Sequence, residues 1–272
     1  MSENTRESSG RQFTDADLTG ARFRKVQLND ARFRMVDLSG VVMRDVDLSG
    51  AALDGEIDGQ RINDVEVAPL IEAELTRRNP ARAWRSATAP EELRAAWAAL
   101  ERTWTATCDK AAALPPGSVD VSVQEEWSFT QTLRHLVFVT DAWLGAIRGG
   151  SPAFHPWALP FTDLPEFNDR PVESHGLEVD AAPSYPDVLA VRADRMAQVR
   201  DVLADLTPQR MSEEVEGPVW MGGERLGVHR CLRVIFNEEC EHHRFAERDL
   251  DALAAAGCVT LTAAATLITE RG

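Results

Sequence analysis

A glutamate and a histidine that could bind a metal ion stand four residues apart in the C-terminal part of the chain, at Glu239 and His243. In a helix of about 3.6 residues per turn, side chains at this spacing point the same way and can bind one cation together. Glutamate oxygen and histidine nitrogen are both ligands of zinc. A carboxylate on an apolar helix face needs a cationic partner, because burying it unpaired is costly. The pair therefore predicts part of a metal site.

The helix that carries this pair is predicted over residues 227–254. Its apolar stripe, at steps of three and four residues, consists of Leu232, Ile235, Phe236, Ala246, Leu250 and Leu253. Such steps define one face of a helix, and the stripe places Glu239 and His243 on it. Glu238 and His242 form a second pair with the same spacing at the edge of the stripe. The stripe favours Glu239 and His243, and an ion pair on a partly solvated face is the alternative.

His135 is the third candidate ligand, in a helix predicted over residues 128–148. Ser128 and Gln131 form a capping box that marks the start of this helix. A histidine among apolar residues is by itself more often part of the core than a ligand. With the glutamate and the histidine of the later helix, however, it gives a His–Glu–His set. Three protein ligands leave a position for water or substrate, which is typical of catalytic metal sites.

Four long helical segments contain or surround these candidates. They are predicted over residues 89–114, 128–148, 184–206 and 227–254. The segment 151–171 between the second and third helices is rich in proline and aromatic residues, and its length is typical of a lid or binding loop. Four long helices with one long crossover predict a four-helix bundle and a mainly α fold.

The N-terminal segment repeats every five residues. A large apolar residue recurs at Phe13, Leu18, Phe23, Leu28, Phe33, Leu38, Met43, Leu48 and Leu53. A period of five fits neither a helix nor a strand. The blocks resemble the pentapeptide-repeat family, which implies a short right-handed β-helix over residues 13–67. So short a solenoid buries little surface and needs a neighbour. This favours a structural or dimerisation role over that of an acidic rod that mimics DNA, and it leaves a homodimer open.

The two helices with candidate ligands resemble those of the DinB/YfiT-like superfamily. Trp127–Ser128 to His135–Leu136 is similar to its first ligand helix, and the stretch 238–250 is similar to its last, whose usual pattern is H-E-x-H-H-R. Aligned on the two adjacent histidines, Glu239 takes the place of the first histidine of many members. This departs from a three-histidine site and resembles the His–Glu–His variant of mycothiol-dependent maleylpyruvate isomerase relatives. The resemblance covers residues 85–255.

The resemblance implies a function, because this superfamily includes S-transferases that use bacillithiol or mycothiol. It implies a divalent metal, zinc by family precedent with nickel as an alternative, that lowers the pKa of a bound thiol. Lys25 and Lys110 are the only lysines, a bias typical of GC-rich actinobacterial genomes, which favours mycothiol. We therefore expect a thiol S-transferase that acts on an electrophilic metabolite or natural-product intermediate. Gln131, Asn237 and Arg244 are the candidates for substrate contacts.

Two other functions stay open, and composition excludes others. A metal-dependent hydrolase or isomerase would use the same site, and a non-catalytic, stress-related binding or scaffold protein would need no chemistry. The net charge of −15 argues against nucleic-acid binding. No apolar run reaches the roughly 20 residues of a membrane span, and the polar first residues contain no signal peptide, so we expect a cytoplasmic protein. The predicted order is a disordered N-terminus, the repeat, a connecting helix, the bundle and a C-terminal extension, over residues 1–12, 13–67, 68–84, 85–255 and 256–272.

Overall fold

The structure is a computed structural model with two compact units, and the boundary between them lies between Gly55 and Glu56. The residues that it describes are 12–124, 126–150, 153–161 and 175–269. The boundary comes earlier than residue 67, where the repeat was expected to end. The second unit begins instead with a hairpin of strands β1 (Arg61–Ile62) and β2 (Val65–Glu66).

The backbone of the first unit turns a corner every five residues. The residues with φ between 51° and 76° are Asp15, Gly20, Lys25, Asp30, Met35, Gly40, Asp45 and Gly50. Glycine adopts this left-handed conformation freely and aspartate tolerates it, whereas a long side chain such as that of Met35 is strained there. The carboxylate of Asp37 accepts a hydrogen bond of 2.8 Å from the Ser39 N–H and so braces the neighbouring corner. The predicted five-residue period is therefore the period of the backbone itself.

The second unit is mainly helical. Within the described residues, its α-helices are α1 (Ala68–Arg78), α2 (Pro90–Ala112), α3 (Phe129–Arg148), α4 (Tyr185–Ala204), α5 (Pro208–Ser212) and α6 (Val228–Thr269). Strands β3 (Glu214–Glu216) and β4 (Arg225–Gly227) form an antiparallel pair between α5 and α6. The four long helices α2, α3, α4 and α6 form the predicted bundle, and α3 packs against both α4 and α6.

Capping residues mark both ends of helix α3, whereas helix α6 ends later than predicted. Helix α3 begins after Ser128, whose hydroxyl accepts from the Gln131 N–H at 3.3 Å, and it ends at Gly149 in the left-handed conformation. Helix α6 is longer than predicted, because it continues past Gly257 to Thr269. Ala254, Ala255 and Ala256, directly before this glycine, have the highest helix propensity of all residues, which offsets a glycine penalty of about 1 kcal/mol. Most of the predicted extension 256–272 is thus part of α6.

The core of the bundle lies where α2, α3 and α6 meet. Trp97 and Phe236 are buried there and make an edge-to-face contact with ring centroids 5.4 Å apart. Leu136 and Leu232 are also buried in this cluster. None of the helices in the described ranges combines the length and the apolar character that a membrane span requires. The packed helices hold the polar side chains described next in fixed positions.

Candidate metal centre

His135 lies on α3 and is completely buried. Its Nδ1 atom is 2.9 Å from the Leu159 carbonyl oxygen, which can only accept, so the proton is on Nδ1 and the lone pair is on Nε2. The neighbouring Arg134 ties the same segment to α3, because its Nε atom donates to the Trp157 carbonyl at 2.7 Å. The residues that follow α3 therefore fix the orientation of the His135 ring.

Glu238 and His242 lie four residues apart on α6 and face His135. The His242 Nε2 atom is 3.2 Å from a Glu238 carboxylate oxygen, and the His135 Nε2 atom is 3.7 Å from the same oxygen. One ligand atom from each of the three residues lies within 4.8 Å of the other two. The structure thus brings together two imidazoles and one carboxylate from two facing helices.

These three side chains fit a divalent metal. The buried His135 Nε2 atom has no hydrogen-bond partner among the described residues, although its other nitrogen is bonded. A buried polar atom without a partner is costly, and a metal ion would use its lone pair. Two nitrogens and one oxygen form the donor set of a catalytic zinc site, as in His₂Glu metalloenzymes. Helix geometry, burial and ligand type therefore make His135, Glu238 and His242 a candidate metal site.

The charges at this site also favour a cation. Burial lowers the pKa of His135, which keeps its imidazole neutral and able to act as a ligand. Burial alone would raise the pKa of Glu238, but contacts with His135 and His242 outweigh it and lower that pKa from 4.5 to about 2. The carboxylate therefore stays ionised at neutral pH. An ionised carboxylate beside two imidazole nitrogens is a donor set that a divalent cation binds.

The low pKa of Glu238 predicts an acid-dependent loss of stability in the metal-free protein. Because this pKa is lower in the folded protein, the stabilisation is present above about pH 4.5 and is lost as the pH falls towards about 2. Glu238→Gln has no such titration. In chelator, the difference in free energy of unfolding between the wild type and this variant is expected to shrink by about 2 kcal/mol between about pH 6 and pH 3. Denaturant unfolding at each pH measures this difference. A difference that stays constant with pH would contradict the low pKa of Glu238.

Glu239 and His243, the ligands expected from the sequence, lie elsewhere. Both oxygens of Glu239 accept hydrogen bonds from the Nη2 atom of Arg192 on α4, and both residues of this pair are buried. The His243 Nε2 atom is 2.8 Å from the Thr107 hydroxyl oxygen, and its ring lies edge-on to Trp104 on α2. Of the expected set, therefore, only His135 lies in the three-residue cluster, and Glu238 and His242 take the places of the other two.

The expected ligands Glu239 and His243 are each one residue away from the side chains that lie near His135, and this offset has a geometric cause. Successive residues of a helix point about 100° apart, so neighbouring positions face different partners. Helix α6 packs against both α2 and α3, and its buried surface is accordingly wide. The centre of its apolar stripe, with Glu239 and His243, faces α2 and α4, whereas Glu238 and His242 at the edge face α3. The Glu238–His242 pair, recognised in the sequence as the second choice, is the one near His135.

The three candidates for substrate contacts have structural partners. Gln131 accepts a hydrogen bond of 2.9 Å from the Ser128 N–H and completes the cap of α3. Asn237 accepts from the Arg85 guanidinium at 3.0 Å. Arg244 forms an ion pair of 2.8 Å with Glu241 on its own helix. These contacts stabilise helix ends and helix packing, and the contact of Gln131 agrees with the capping box expected from the sequence.

Aromatic rings surround the two histidines of the cluster. The Trp127 ring centroid is 4.7 Å from that of His135 and 6.1 Å from that of His242. Phe161 lies 4.2 Å from His135 and stacks on Trp127. Rings packed this closely restrict rotation of both imidazoles, which holds their nitrogens in the orientation that metal binding needs. Phe161 belongs to the segment 151–171, whose composition indicated a binding loop, and residues 162–171 lie outside the described part.

Comparisons with known proteins agree with both parts of this architecture. The family model of the DinB superfamily matches residues 92–246, which is more than half of the chain. The model of pentapeptide repeats matches residues 12–50 in eight copies. Neither a curated protein nor a solved structure matches the chain. The first match includes His135, Glu238 and His242.

Proposed function

Since the chain belongs to the DinB superfamily, whose members are associated with metals, we propose that it is a metal-dependent thiol S-transferase with His135, Glu238 and His242 as ligands. The observation that carries this proposal is the convergence of these three donors within 4.8 Å of one another. A bound divalent metal, which we propose to be zinc with nickel as an alternative, supplies a Lewis acid that lowers the pKa of a thiol to near neutrality. The proposed acceptor is an electrophilic metabolite or natural-product intermediate.

The carboxylates near the site support thiol chemistry over hydrolysis. A hydrolase that activates water commonly uses a separate carboxylate as general base. Glu239 is paired with Arg192, Glu241 with Arg82, and Glu247 with Lys110. Within the described part of α6, each carboxylate next to the three ligands thus has a cationic partner, and Glu238 is itself a proposed ligand. A thiolate is already a strong nucleophile and needs no such base.

The thiol that we propose is mycothiol, and its support is the lysine-poor, arginine-rich composition. In the proposed reaction, the residues around the site keep the metal-binding side chains in position. Leu159 fixes the His135 tautomer, and Trp127 packs against both imidazoles. A thiol-dependent isomerase would use the same ligands and the same thiol, as in the relatives that the sequence resembles. The two activities differ in outcome, because an isomerase releases the thiol unchanged whereas an S-transferase leaves it bonded to the product.

Adduct formation tests this proposal. Incubated with mycothiol and monochlorobimane, the metal-loaded protein is expected to form the fluorescent thioether at least about 10-fold faster than the background reaction. The rate is expected to fall to background in His242→Gln and to persist in His243→Gln, which makes the same substitution one residue away. Background rates with the wild type, or equal rates in the two variants, would contradict S-transfer at this site.

A further inference from the structure

Arg134, the residue before His135 on α3, is a buried cation that pairs with no carboxylate of the described residues. Its side chain is 6% exposed, and burial lowers its pKa with no acidic group to offset the effect. Buried arginines are usually paired with acids, because burying a charge is costly. The acceptors of Arg134 are instead backbone carbonyl oxygens, which are neutral. A cation buried at this cost points to a role in holding that backbone.

The guanidinium of Arg134 binds two separate stretches of the chain between α3 and α4. Its Nε atom donates to the Trp157 carbonyl at 2.7 Å, and its Nη2 atom donates to the Val179 carbonyl at 3.0 Å. The two stretches also bind each other, since the Glu178 N–H donates to the Pro156 carbonyl at 2.6 Å. One planar group with several donors thus joins both stretches to α3, which the single nitrogen of a lysine does less well.

The backbone of Arg134 binds the first of these stretches a second time. The Leu159 N–H donates to the Arg134 carbonyl at 3.2 Å, two residues after the Trp157 carbonyl that the guanidinium binds. The Leu159 carbonyl in turn lies 2.9 Å from the Nδ1 atom of His135. The position of the Leu159 carbonyl on the His135 ring therefore depends on Arg134.

The two nitrogens of the His135 ring face competing acceptors. The Leu159 carbonyl is 2.9 Å from Nδ1, whereas a Glu238 carboxylate oxygen is 3.7 Å from Nε2. A neutral imidazole carries one proton, and an ionised carboxylate is a stronger acceptor than a carbonyl. If the Leu159 carbonyl moved away, the proton would therefore go to Nε2 and bind Glu238. The Nε2 lone pair, which a metal ion needs, would then be lost.

We propose that Arg134 is a positioning residue of the metal centre, which holds the Leu159 carbonyl on the Nδ1 atom of His135 and so keeps Nε2 available for the metal. Arg134 acts through the backbone of residues 157–159 and not by contact with the ion. The inference rests on the proposed function, of which it needs only the metal site. The identity of the thiol and of the electrophile does not enter it.

NMR of the metal-free full chain, labelled with ¹⁵N at histidine, tests the proposal through the tautomer of His135. The signals of this residue are identified by their absence from His135→Gln. The wild type is expected to carry the proton on Nδ1, and Arg134→Gln is expected to move it to Nε2 in at least about half of the molecules. A wild type with the proton on Nε2, or an unchanged tautomer in Arg134→Gln, would overturn the proposal.

Arg195→Gln is the matched control, because it makes the same substitution at another arginine that supports the same segment. Arg195 forms an ion pair of 2.6 Å with Asp141, which accepts a hydrogen bond from the His155 N–H at 2.7 Å. These contacts hold the segment four residues before Leu159, so the His135 tautomer is expected to stay unchanged. Equal shifts of the tautomer in the two variants would show that Arg134 has no particular role.

Zinc affinity gives a second readout and separates this inference from the proposed function. Arg134→Gln is expected to lower the affinity by about 10- to 100-fold and Arg195→Gln by less than about 3-fold. If the wild type bound no zinc but the tautomer shifted in Arg134→Gln, the proposed function would be wrong and the positioning role would be supported. If zinc bound equally well to both variants, the positioning role alone would be overturned.

Arg134→Lys keeps the test decisive if Arg134→Gln does not fold. Lysine retains the charge but offers one donating nitrogen, so it holds the Trp157 and Val179 carbonyls less firmly. We expect this variant to fold, to show both tautomers of His135 and to bind zinc at least about 3-fold more weakly than the wild type. The tautomer and the zinc affinity of the wild type in Arg134→Lys would overturn the proposal.

Discussion

His242→Gln is expected to lower the affinity of the protein for zinc by more than about 100-fold, whereas His243→Gln changes it by less than about 3-fold. The His242 Nε2 atom faces Glu238 and the His135 ring, so its loss removes one of three ligands. The His243 Nε2 atom instead contacts the Thr107 hydroxyl oxygen. The two variants make the same chemical change at adjacent residues of one helix, so general effects on folding are matched. Competition titration with a chromophoric chelator measures both affinities.

Two outcomes would contradict the ligand assignment. If His243→Gln weakened zinc binding and His242→Gln did not, the ligands would be those that the apolar stripe of the sequence favours. If neither variant changed the metal content, the ion would lie elsewhere. Purified protein without stoichiometric zinc or nickel, unchanged by His135→Ala, would favour the non-catalytic scaffold.

Arg192→Met is expected to destabilise the fold by about 3–5 kcal/mol, the largest effect on stability that we predict. Arg192 is 3% exposed, and its guanidinium is the partner of the buried carboxylate of Glu239. Removing the cation leaves an uncompensated charge in the interior, which costs more than the pair contributes in its intact form. The double variant Arg192→Met/Glu239→Leu is expected to recover most of the loss, because it removes both charges.

Denaturant unfolding of the metal-free protein measures these changes, and the metal content gives an independent readout. If Glu239 serves only as the partner of Arg192, Glu239→Gln destabilises the fold but still binds zinc at one ion per chain. A destabilisation below about 1 kcal/mol in Arg192→Met would contradict the importance of the pair. If Glu239→Gln lost zinc at a temperature where the protein stays folded, Glu239 would be a metal ligand.

Periodic features of the molecule could be read from the sequence. The five-residue row from Phe13 to Leu53 predicted the regular corners of the first unit, and steps of three and four predicted the four long helices. His135 was recognised because two side chains on another helix could complete a ligand set with it. These features depend on local spacing, which the sequence contains directly.

The pair on α6 that lies near His135 could not be chosen from spacing alone. A hydropathy stripe shows which residues are buried but not which neighbouring helix each of them faces. Glu239 needs a cationic partner, but no local pattern indicates that Arg192 on a distant helix supplies it. The contacts of the Leu159 carbonyl and of Phe161 with His135 depend equally on where residues 153–161 pack. Contacts between residues far apart in the chain are set by packing, which no local pattern encodes.

The most direct test of the central claim is anomalous diffraction at the zinc absorption edge from crystals of the zinc-loaded protein. We expect one anomalous peak at about 2.0–2.2 Å from the Nε2 atoms of His135 and His242 and from a Glu238 carboxylate oxygen. A peak coordinated by Glu239 and His243, or the absence of a peak near His135 in protein that contains zinc, would contradict the account.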